Sequence, residues 1–321
     1  MHAPDFWRSR GPLARLLAPL GELYGASVAW KARTARPFDP GVPVICVGDL
    51  TAGGSGKTPV AIAIARALMA RGKRPFFLTR GYGGREKGPA LAARVHSAAR
   101  MGDEALLLTR TAPTVVSRDR AAGARLAVEK GADVIVMDDG HQNFTLKKTL
   151  SLVVVDAQTG FGNGLMIPAG PLREPVARGL ARADAVILVG EGNPGLQGIA
   201  VPVLRADMIA DGAAFAGARV FAFAGIGRPE KFVASLEQAG ADVIGSCFFP
   251  DHHPYQPGEI EQLRIVAGDA ALVTTEKDFV RLSIQDREGI RVLKVAASFP
   301  DGAALARLLD RTLLDTAPGP G

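Results

Sequence analysis

A mostly parallel α/β sheet flanked by helices, followed by a second, smaller α/β unit, is the fold class that this sequence predicts. Three observations carry that prediction. From Pro43 onward, short β-rich runs alternate with helical patterns, as expected of parallel strands joined by right-handed crossovers. The Gly/Pro-rich stretch Gly190–Gly198 interrupts the alternation, which then resumes. The length of 321 residues also exceeds the ~250–300 at which single cores usually stop growing.

At the N-terminus, Leu13, Leu16, Leu17, Leu20 and Tyr24 recur at helical spacing between Phe6, Trp7 and Trp30. Arg8, Arg10, Arg15, Lys31, Arg33 and Arg36 add positive charge. Such a helix can lie in a membrane interface or pack on its own domain, and Pro19 and Gly21 are expected to bend or break it. Strands are predicted at Pro43–Val47, Pro75–Thr79, Thr114–Val116, Asp133–Met137, Ser151–Val155 and Ala185–Val189, with helices at Pro59–Arg71 and Asp119–Lys130. Beyond the Gly/Pro stretch, Arg219–Ala224, Asp242–Cys247, Ala271–Thr274 and Arg291–Val295 read as strands of the second unit, and the Pro/Gly tail after Thr316 reads as frayed.

Composition narrows the function classes. With 47% hydrophobic and 22% charged residues the chain is neither disordered nor fibrous. Cys46 and Cys247 form no CxxC pair and lie beside no His at ligand spacing, which argues against a disulfide scaffold or a zinc module and fits a reducing compartment. Arg15, Glu22 and Lys31 interrupt the N-terminal apolar run before the roughly 18 residues that a membrane span needs, and no signal-peptide pattern is present. Thirty-eight Lys and Arg against 32 Asp and Glu leave a net charge of +6, which favours anionic partners without choosing among nucleotides, nucleic acid and acidic lipid headgroups.

The most specific signal lies between the first predicted strand and helix: Thr51-Ala52-Gly53-Gly54-Ser55-Gly56-Lys57-Thr58. A P-loop needs glycines that let backbone N–H groups converge on phosphate, a Lys for the β- and γ-phosphates and a Ser or Thr hydroxyl for Mg²⁺. All are present, although Thr51 stands where the pattern usually begins with Gly. The run Val134–Met137 ends in Asp138-Asp139, matching a Walker B strand whose carboxylates hold Mg²⁺. A nucleoside triphosphate with Mg²⁺ is the ligand these motifs imply, on a P-loop NTPase-like sheet.

Four further constellations fall at loop positions. Arg80-Gly-Tyr82-Gly-Gly84 follows the second strand, where open α/β sheets place their ligand crevice. Gly102-Asp103-Glu104 opens a helix, so Asp103 reads as an N-cap or as a functional carboxylate. Pro168–Glu174 sets Arg173 beside Glu174 in a rigid loop suited to phosphate or to transferred charge. Asp251-His252-His253-Pro-Tyr255 lies in the second unit, and without a nearby third ligand its His pair suits catalysis or structure better than zinc. Arg118 and Arg120 are candidate anion contacts or members of a solvated face.

In this order, the Thr51–Thr58 loop, Arg80–Gly84, Gly102–Glu104, Asp138-Asp-Gly-His141-Gln142, Gly170–Glu174, Asp251–Tyr255 and Thr275-Glu-Lys-Asp278 resemble the tetraacyldisaccharide 4'-kinase family. Even Thr51 fits that family; His141 departs from it, because Phe is more usual there. The resemblance implies transfer of the γ-phosphoryl group of ATP to the 4'-hydroxyl of a tetraacyldisaccharide 1-phosphate lipid, a step of lipid A biosynthesis. It implies a peripheral enzyme on the cytoplasmic face of the inner membrane, docked through its N-terminal helix and without a nucleic-acid partner. The same resemblance makes Asp103 and His252 the pair that activates the acceptor, with Lys57 and Arg173 as catalytic cations. Residues 51–58 would bind the nucleotide, and Thr58, Asp138, Asp139 and Glu174 the metal. Residues 1–36 are then a membrane-associated helical segment, 37–200 the P-loop kinase domain, and 201–321 a smaller domain closing over the active site, with a last helix able to pack back on the first domain. Alternatives are a membrane-docked P-loop NTPase switch, for which Thr275–Asp278 resembles a guanine-reading motif at the wrong spacing, and a soluble small-molecule kinase of the same fold.

Overall fold

A computed structural model describes residues 4–196 and 199–314. Gly198, at the end of the expected linker, and the tail after Thr316 lie outside the described residues. In chain order the first part contains α1 (Pro12–Thr34), β1 (Val44–Gly48), α2 (Lys57–Met69), β2 (Pro75–Thr79), β3 (Ala90–Ala92), α3 (Ala98–Met101), α4 (Asp103–Leu108), β4 (Thr114–Val116), α5 (Arg120–Glu129), β5 (Val134–Asp138), β6 (Leu150–Asp156), α6 (Val176–Leu180) and β7 (Ala185–Val189). It continues through β8 (Val203–Ala210), β9 (Arg219–Ala224), α7 (Pro229–Gln238), β10 (Asp242–Phe248), α8 (Glu259–Ala267), β11 (Ala271–Thr275), α9 (Glu276–Arg281), β12 (Arg291–Leu293), β13 (Val295–Ser298) and α10 (Gly302–Leu314).

Nine strands form one sheet in the order β13-β8-β7-β6-β1-β5-β2-β4-β3, parallel except at its two ends, and β10-β9-β11-β12 form a second, parallel sheet. The central strands are buried along their whole length, which is why they read as unbroken apolar runs. From β1 the chain winds outward to β2 and β4, returns to β5, and then crosses to β6 on the other side of β1. That reversal opens a crevice at the C-terminal ends of β1 and β5, where ligands of open α/β sheets bind.

Two features differ from the sequence expectation. Chain beyond residue 200 contributes to both sheets, because β8 pairs with the exposed edge of β7 and β13 pairs with β8. Without β8, the fully buried β7 would leave a row of unpaired backbone groups. The second feature is α1, which runs as one helix through Pro19. Gly21 and Gly25 do not break it; they let it approach Met166 closely, where a Cβ on Gly21 would lie 2.8 Å from the Met166 carbonyl oxygen. Ala14, Gly21, Gly25 and Val28 form its buried face, while Leu16, Leu20 and Leu23 are exposed. No helix among the described residues is long and apolar enough to cross a membrane.

The last helix returns to the large sheet. Leu305 and Leu309 of α10 join Ile64 and Leu68 of α2 in the main core, and Arg71 is paired with Asp310 at 2.7 Å. Leu309 is fully buried, so Leu309→Ala should destabilise the protein by about 2–5 kcal/mol, read as a lower midpoint in urea at unchanged slope.

Candidate active site

Helix α2 begins at Lys57, so its first turn forms the end of the P-loop, with Gly56 in the left-handed region at φ 89°. A Cβ at Gly56 would lie 2.7 Å from Met208 Cε of β8, so both the backbone twist and the space demand glycine. Asp49, one residue past β1 and fully buried, accepts from Ser55 Oγ at 2.8 Å and from Lys57 Nζ at 2.5 Å. Burial alone would lower the Lys57 pKa, but the charges of Asp49 and Asp139 outweigh it and hold the group as a cation.

Thr58 Oγ1 donates to Asp138 Oδ2 at 3.1 Å, and the other oxygen, Asp138 Oδ1, is buried with no partner. Burial, with Glu104 and Asp139 nearby, pushes the Asp138 carboxyl up to about 7. The next residue, Asp139, has φ 53°, a strained conformation for a non-glycine residue. Its side chain faces Arg173 Nη1 at 2.8 Å and Lys57 Nζ at 3.9 Å. An unpartnered buried carboxylate oxygen beside a Thr hydroxyl suits a hard divalent cation, and Thr58, Asp138 and Asp139 supply the donor chemistry Mg²⁺ takes.

The Pro168–Glu174 loop is stapled to the P-loop. Thr51 bridges Leu172, Ala52 N donates to the Pro171 carbonyl at 2.7 Å, and Arg173 N donates to the Leu50 carbonyl at 2.8 Å. The N-terminus supports this loop in turn: Trp7 Nε1 donates to Pro168 O and Arg10 Nε to Asn163 O, each at 2.9 Å. Arg173 therefore reaches the P-loop carboxylates from a fixed backbone. Glu174, expected as a metal ligand, is engaged by other side chains: Arg182 Nη2 grips its oxygens at 2.8 and 2.7 Å and Gln142 Nε2 donates to Oε1 at 3.1 Å.

The second half of the site joins the two units. Asp103 Oδ2 accepts from His252 Nδ1 at 3.0 Å and from Arg281 Nε at 2.9 Å, while Asp103 Oδ1 accepts from Glu104 N. Burial would raise the Asp103 pKa, but the His252 bond and the Arg281 charge outweigh it and hold the carboxyl well below its usual range. His252 sits at φ 61°, and its ring meets Tyr82 edge-on at a centroid distance of 5.5 Å. The neighbouring His253 bonds Glu259 at 2.8 Å and stacks on Phe249, so only His252 faces the first unit. The charge of Glu104, adjacent to Asp103, contributes to the raised Asp138 pKa. On the other flank, Arg228 Nη2 donates to the Gly54 carbonyl at 2.8 Å and to Asp156 Oδ2 at 2.6 Å, tying the second unit to the P-loop.

The remaining sequence candidates separate. Arg118 is exposed, whereas Arg120 is buried with an unpartnered Nε, and burial lowers its pKa to about 10. Asp278 is fully buried and engaged by Tyr255, Gly225 N and Arg281, so the Thr275–Asp278 segment has no carboxylate free to read a guanine base. Two residues went unnoticed in the sequence. Asp49 had a usable signal, an acid directly after a strand and before a P-loop; Arg281 had none, being 178 positions from its partner.

His141 is fully buried, bonds the Gly179 carbonyl through Nε2 at 2.9 Å, and is packed against Gly48. Burial lowers its pKa to about 3, so the ring is neutral in the folded state. An unfolded His binds a proton near pH 6.5, so this residue favours folding above that pH and its contribution is lost as pH falls from about 6.5 towards 3, at roughly 1.4 kcal/mol per unit. His141→Phe should remove that slope; urea denaturation at pH 7 and pH 5 would show a smaller stability difference in the variant than in the wild type.

The match to known proteins spans the chain. The family model described as tetraacyldisaccharide-1-P 4'-kinase covers residues 13–314. A tetraacyldisaccharide 4'-kinase of Paramagnetospirillum magneticum is 52% identical over 320 residues, covering 97% of this chain and 98% of that protein. One of Gluconacetobacter diazotrophicus is 51% identical over 324 residues, covering 98% of each. Among solved structures, the crystal structure of LpxK from Aquifex aeolicus in complex with ATP superposes with a TM-score of 0.76 at 26% identity, over 94% of this chain and 99% of that one.

Proposed function

Because the chain belongs to the tetraacyldisaccharide 4'-kinase family, the ATP-dependent kinases that phosphorylate the 4'-hydroxyl of tetraacyldisaccharide 1-phosphate in lipid A biosynthesis, we propose a role for each part of its site. Phosphoryl transfer is mostly positioning and charge neutralisation. The P-loop, residues 51–58, binds the phosphates of ATP, with Lys57 and Arg173 as the cations that offset charge on the transferred group. Thr58, Asp138 and Asp139 would hold Mg²⁺, which would supply further neutralisation of the phosphate oxygens. Glu174 serves instead to anchor the loop carrying Arg173, as its contacts with Arg182 and Gln142 suggest.

The observation that carries the mechanism is the 3.0 Å bond between Asp103 and His252, formed between the first unit and the second. Asp103 accepts only, so His252 Nδ1 carries the hydrogen and Nε2 presents a lone pair. The 4'-hydroxyl gives its proton to Nε2 as its oxygen bonds the γ-phosphorus, and the bond from that phosphorus to the bridging oxygen breaks to leave ADP. The ionised Asp103 carboxylate orients His252 towards that proton. The exposed leucines of α1 support peripheral docking on the cytoplasmic face of the inner membrane, where the acylated acceptor resides, and they favour the lipid over a soluble acceptor.

Two outcomes test this reading. Lys57→Ala should lower phosphoryl transfer by about 10²–10³-fold in a folded protein, measured with labelled ATP and detergent-dispersed acceptor; near-normal transfer would sink the P-loop assignment. Deleting the N-terminus would also remove the Trp7 and Arg10 bonds to the 163–168 loop, so the cleaner membrane test is substitution of Leu16, Leu20 and Leu23 together by Ser. Losing three apolar side chains should weaken sedimentation with anionic vesicles at least about tenfold while leaving ATP binding unchanged. Unaltered sedimentation would place membrane contact elsewhere.

A further inference from the structure

The Thr275–Asp278 motif has no role in the scheme above, yet the helix it opens, α9, touches the acceptor side of the site. Arg281, one turn past Lys277 on that helix, is 4% exposed at its side chain and is spent entirely on three partners, two carboxylates and a backbone carbonyl. Its Nε and Nη2 meet Asp103 Oδ2 at 2.9 and 2.5 Å, and its Nη1 meets the Gly225 carbonyl at 2.7 Å and Asp278 Oδ1 at 2.9 Å. Asp278 is itself held by Tyr255 OH, Thr275 Oγ1 and Gly225 N, so the guanidinium has one available orientation. Lys277 repeats the pattern on the adjacent acid, pairing with Glu104 at 2.8 Å. A surface salt bridge of such length would mean little, but Arg281 and Asp103 are buried, Lys277 and Glu104 are half-buried, and both pairs span the two units.

We propose that Arg281 is a positioning residue of the kinase reaction, reaching from α9 to fix Asp103 Oδ2 against His252 Nδ1 so that Nε2 is aimed at the acceptor hydroxyl. The inference rests on the roles of Asp103 and His252 proposed above. The geometry explains why one oxygen of Asp103 carries three donors: the Arg281 fork and the imidazole N–H converge on it, and the ring plane follows from where the fork holds the carboxylate. It also explains why α9 carries a cation opposite each of the two acids at the start of α4, whose charges would otherwise repel each other. The charged and titratable groups facing the pair are Arg281, Lys277 and Asp278 from the second unit, Glu104 from α4, Asp251 with Oδ2 at 3.8 Å from His252 Nε2, and Tyr82 against the ring. Removing the one cation in contact with Asp103 therefore makes both Asp103 and His252 easier to protonate.

The test uses the full chain with ATP, Mg²⁺ and detergent-dispersed disaccharide 1-phosphate lipid, measuring kcat, KM for ATP and the pH profile of kcat for Arg281→Gln and Arg281→Lys. Arg281→Gln should lower kcat about 10–100-fold, leave KM for ATP within about twofold, and move the acid limb of the profile up by about one pH unit. Arg281→Lys keeps the charge without the fork, so its limb should stay at the wild-type pH while kcat is only partly recovered. On a His252→Ala background, Arg281→Gln should cost less than about threefold more, because residues sharing one step are non-additive. A kcat loss with the limb unmoved, or losses that multiply on the His252→Ala background, overturns the role of Arg281. Wild-type turnover of His252→Ala alone would instead remove the dyad itself, which separates the two failures. Should Arg281→Gln fail to fold, Arg281→Lys decides: reduced kcat at unchanged KM for ATP is expected, and wild-type kcat overturns the proposal.

Discussion

Three carboxylates, the buried Asp49 and Asp138 and the half-buried Asp139, crowd together at the C-terminal ends of two adjacent parallel strands, and the site is organised by the need to offset their charge. Isolated buried anions are very costly, so each must be paired, hydrogen-bonded or neutralised. Lys57 and Ser55 meet Asp49; Arg173, from a loop stapled to the P-loop, meets Asp139; Asp138 has only the Thr58 hydroxyl and a carboxyl pushed up to about 7. The pairing register makes this crowding unavoidable, because Val47 of β1 stands beside Asp138 of β5, which brings the residues just past each strand together.

The same economy governs the contact between the units. Asp103 and Glu104 open α4 side by side, and their neutralising cations, Arg281 and Lys277, come from the second unit. Asp156, at the end of β6, is met likewise by Arg228 and, at 3.8 Å, by Lys231. Asp103, Glu104 and Asp156 of the first unit thus find their partners on the smaller one. Separating the units would expose unpaired charge on both sides, so the arrangement that aligns His252 with Asp103 is also the one that satisfies these groups.

How much of this could be read from the sequence follows from how local each feature is. The strands β1, β2, β5 and β7 were legible because full burial writes an unbroken apolar run, and the P-loop because its chemistry is contained in eight residues. By contrast, β8 shows a mixed burial pattern, and β13 is a four-residue edge; both exist to cover a neighbour, which is a tertiary demand. Pro19 signalled a break that packing of Gly21 and Gly25 on Met166 overrides. Glu174 sat in the right motif, but its direction is set by Arg182, which no spacing rule reveals. Asp103 and His252 came from family resemblance rather than spacing, and the structure brings their side chains to hydrogen-bond distance across 149 positions.

The ion pairs at the P-loop also bear on the order of events in the proposed scheme. Lys57 and Arg173 are paired with Asp49 and Asp139. When the nucleotide's phosphates draw those cations towards themselves, the carboxylates lose part of their compensation, and Asp139 and Asp138 are left needing a cation. On the proposed roles, that shortage would make binding of nucleotide and of Mg²⁺ mutually favourable, since each would remove the electrostatic cost the other leaves behind. Asp49 has no such replacement: it lies deeper and still holds Ser55, so it remains the group that returns Lys57 to its resting position once product leaves. In that scheme the P-loop lysine would exchange one anionic partner for another and never face the site without one, which is the condition for keeping it charged there.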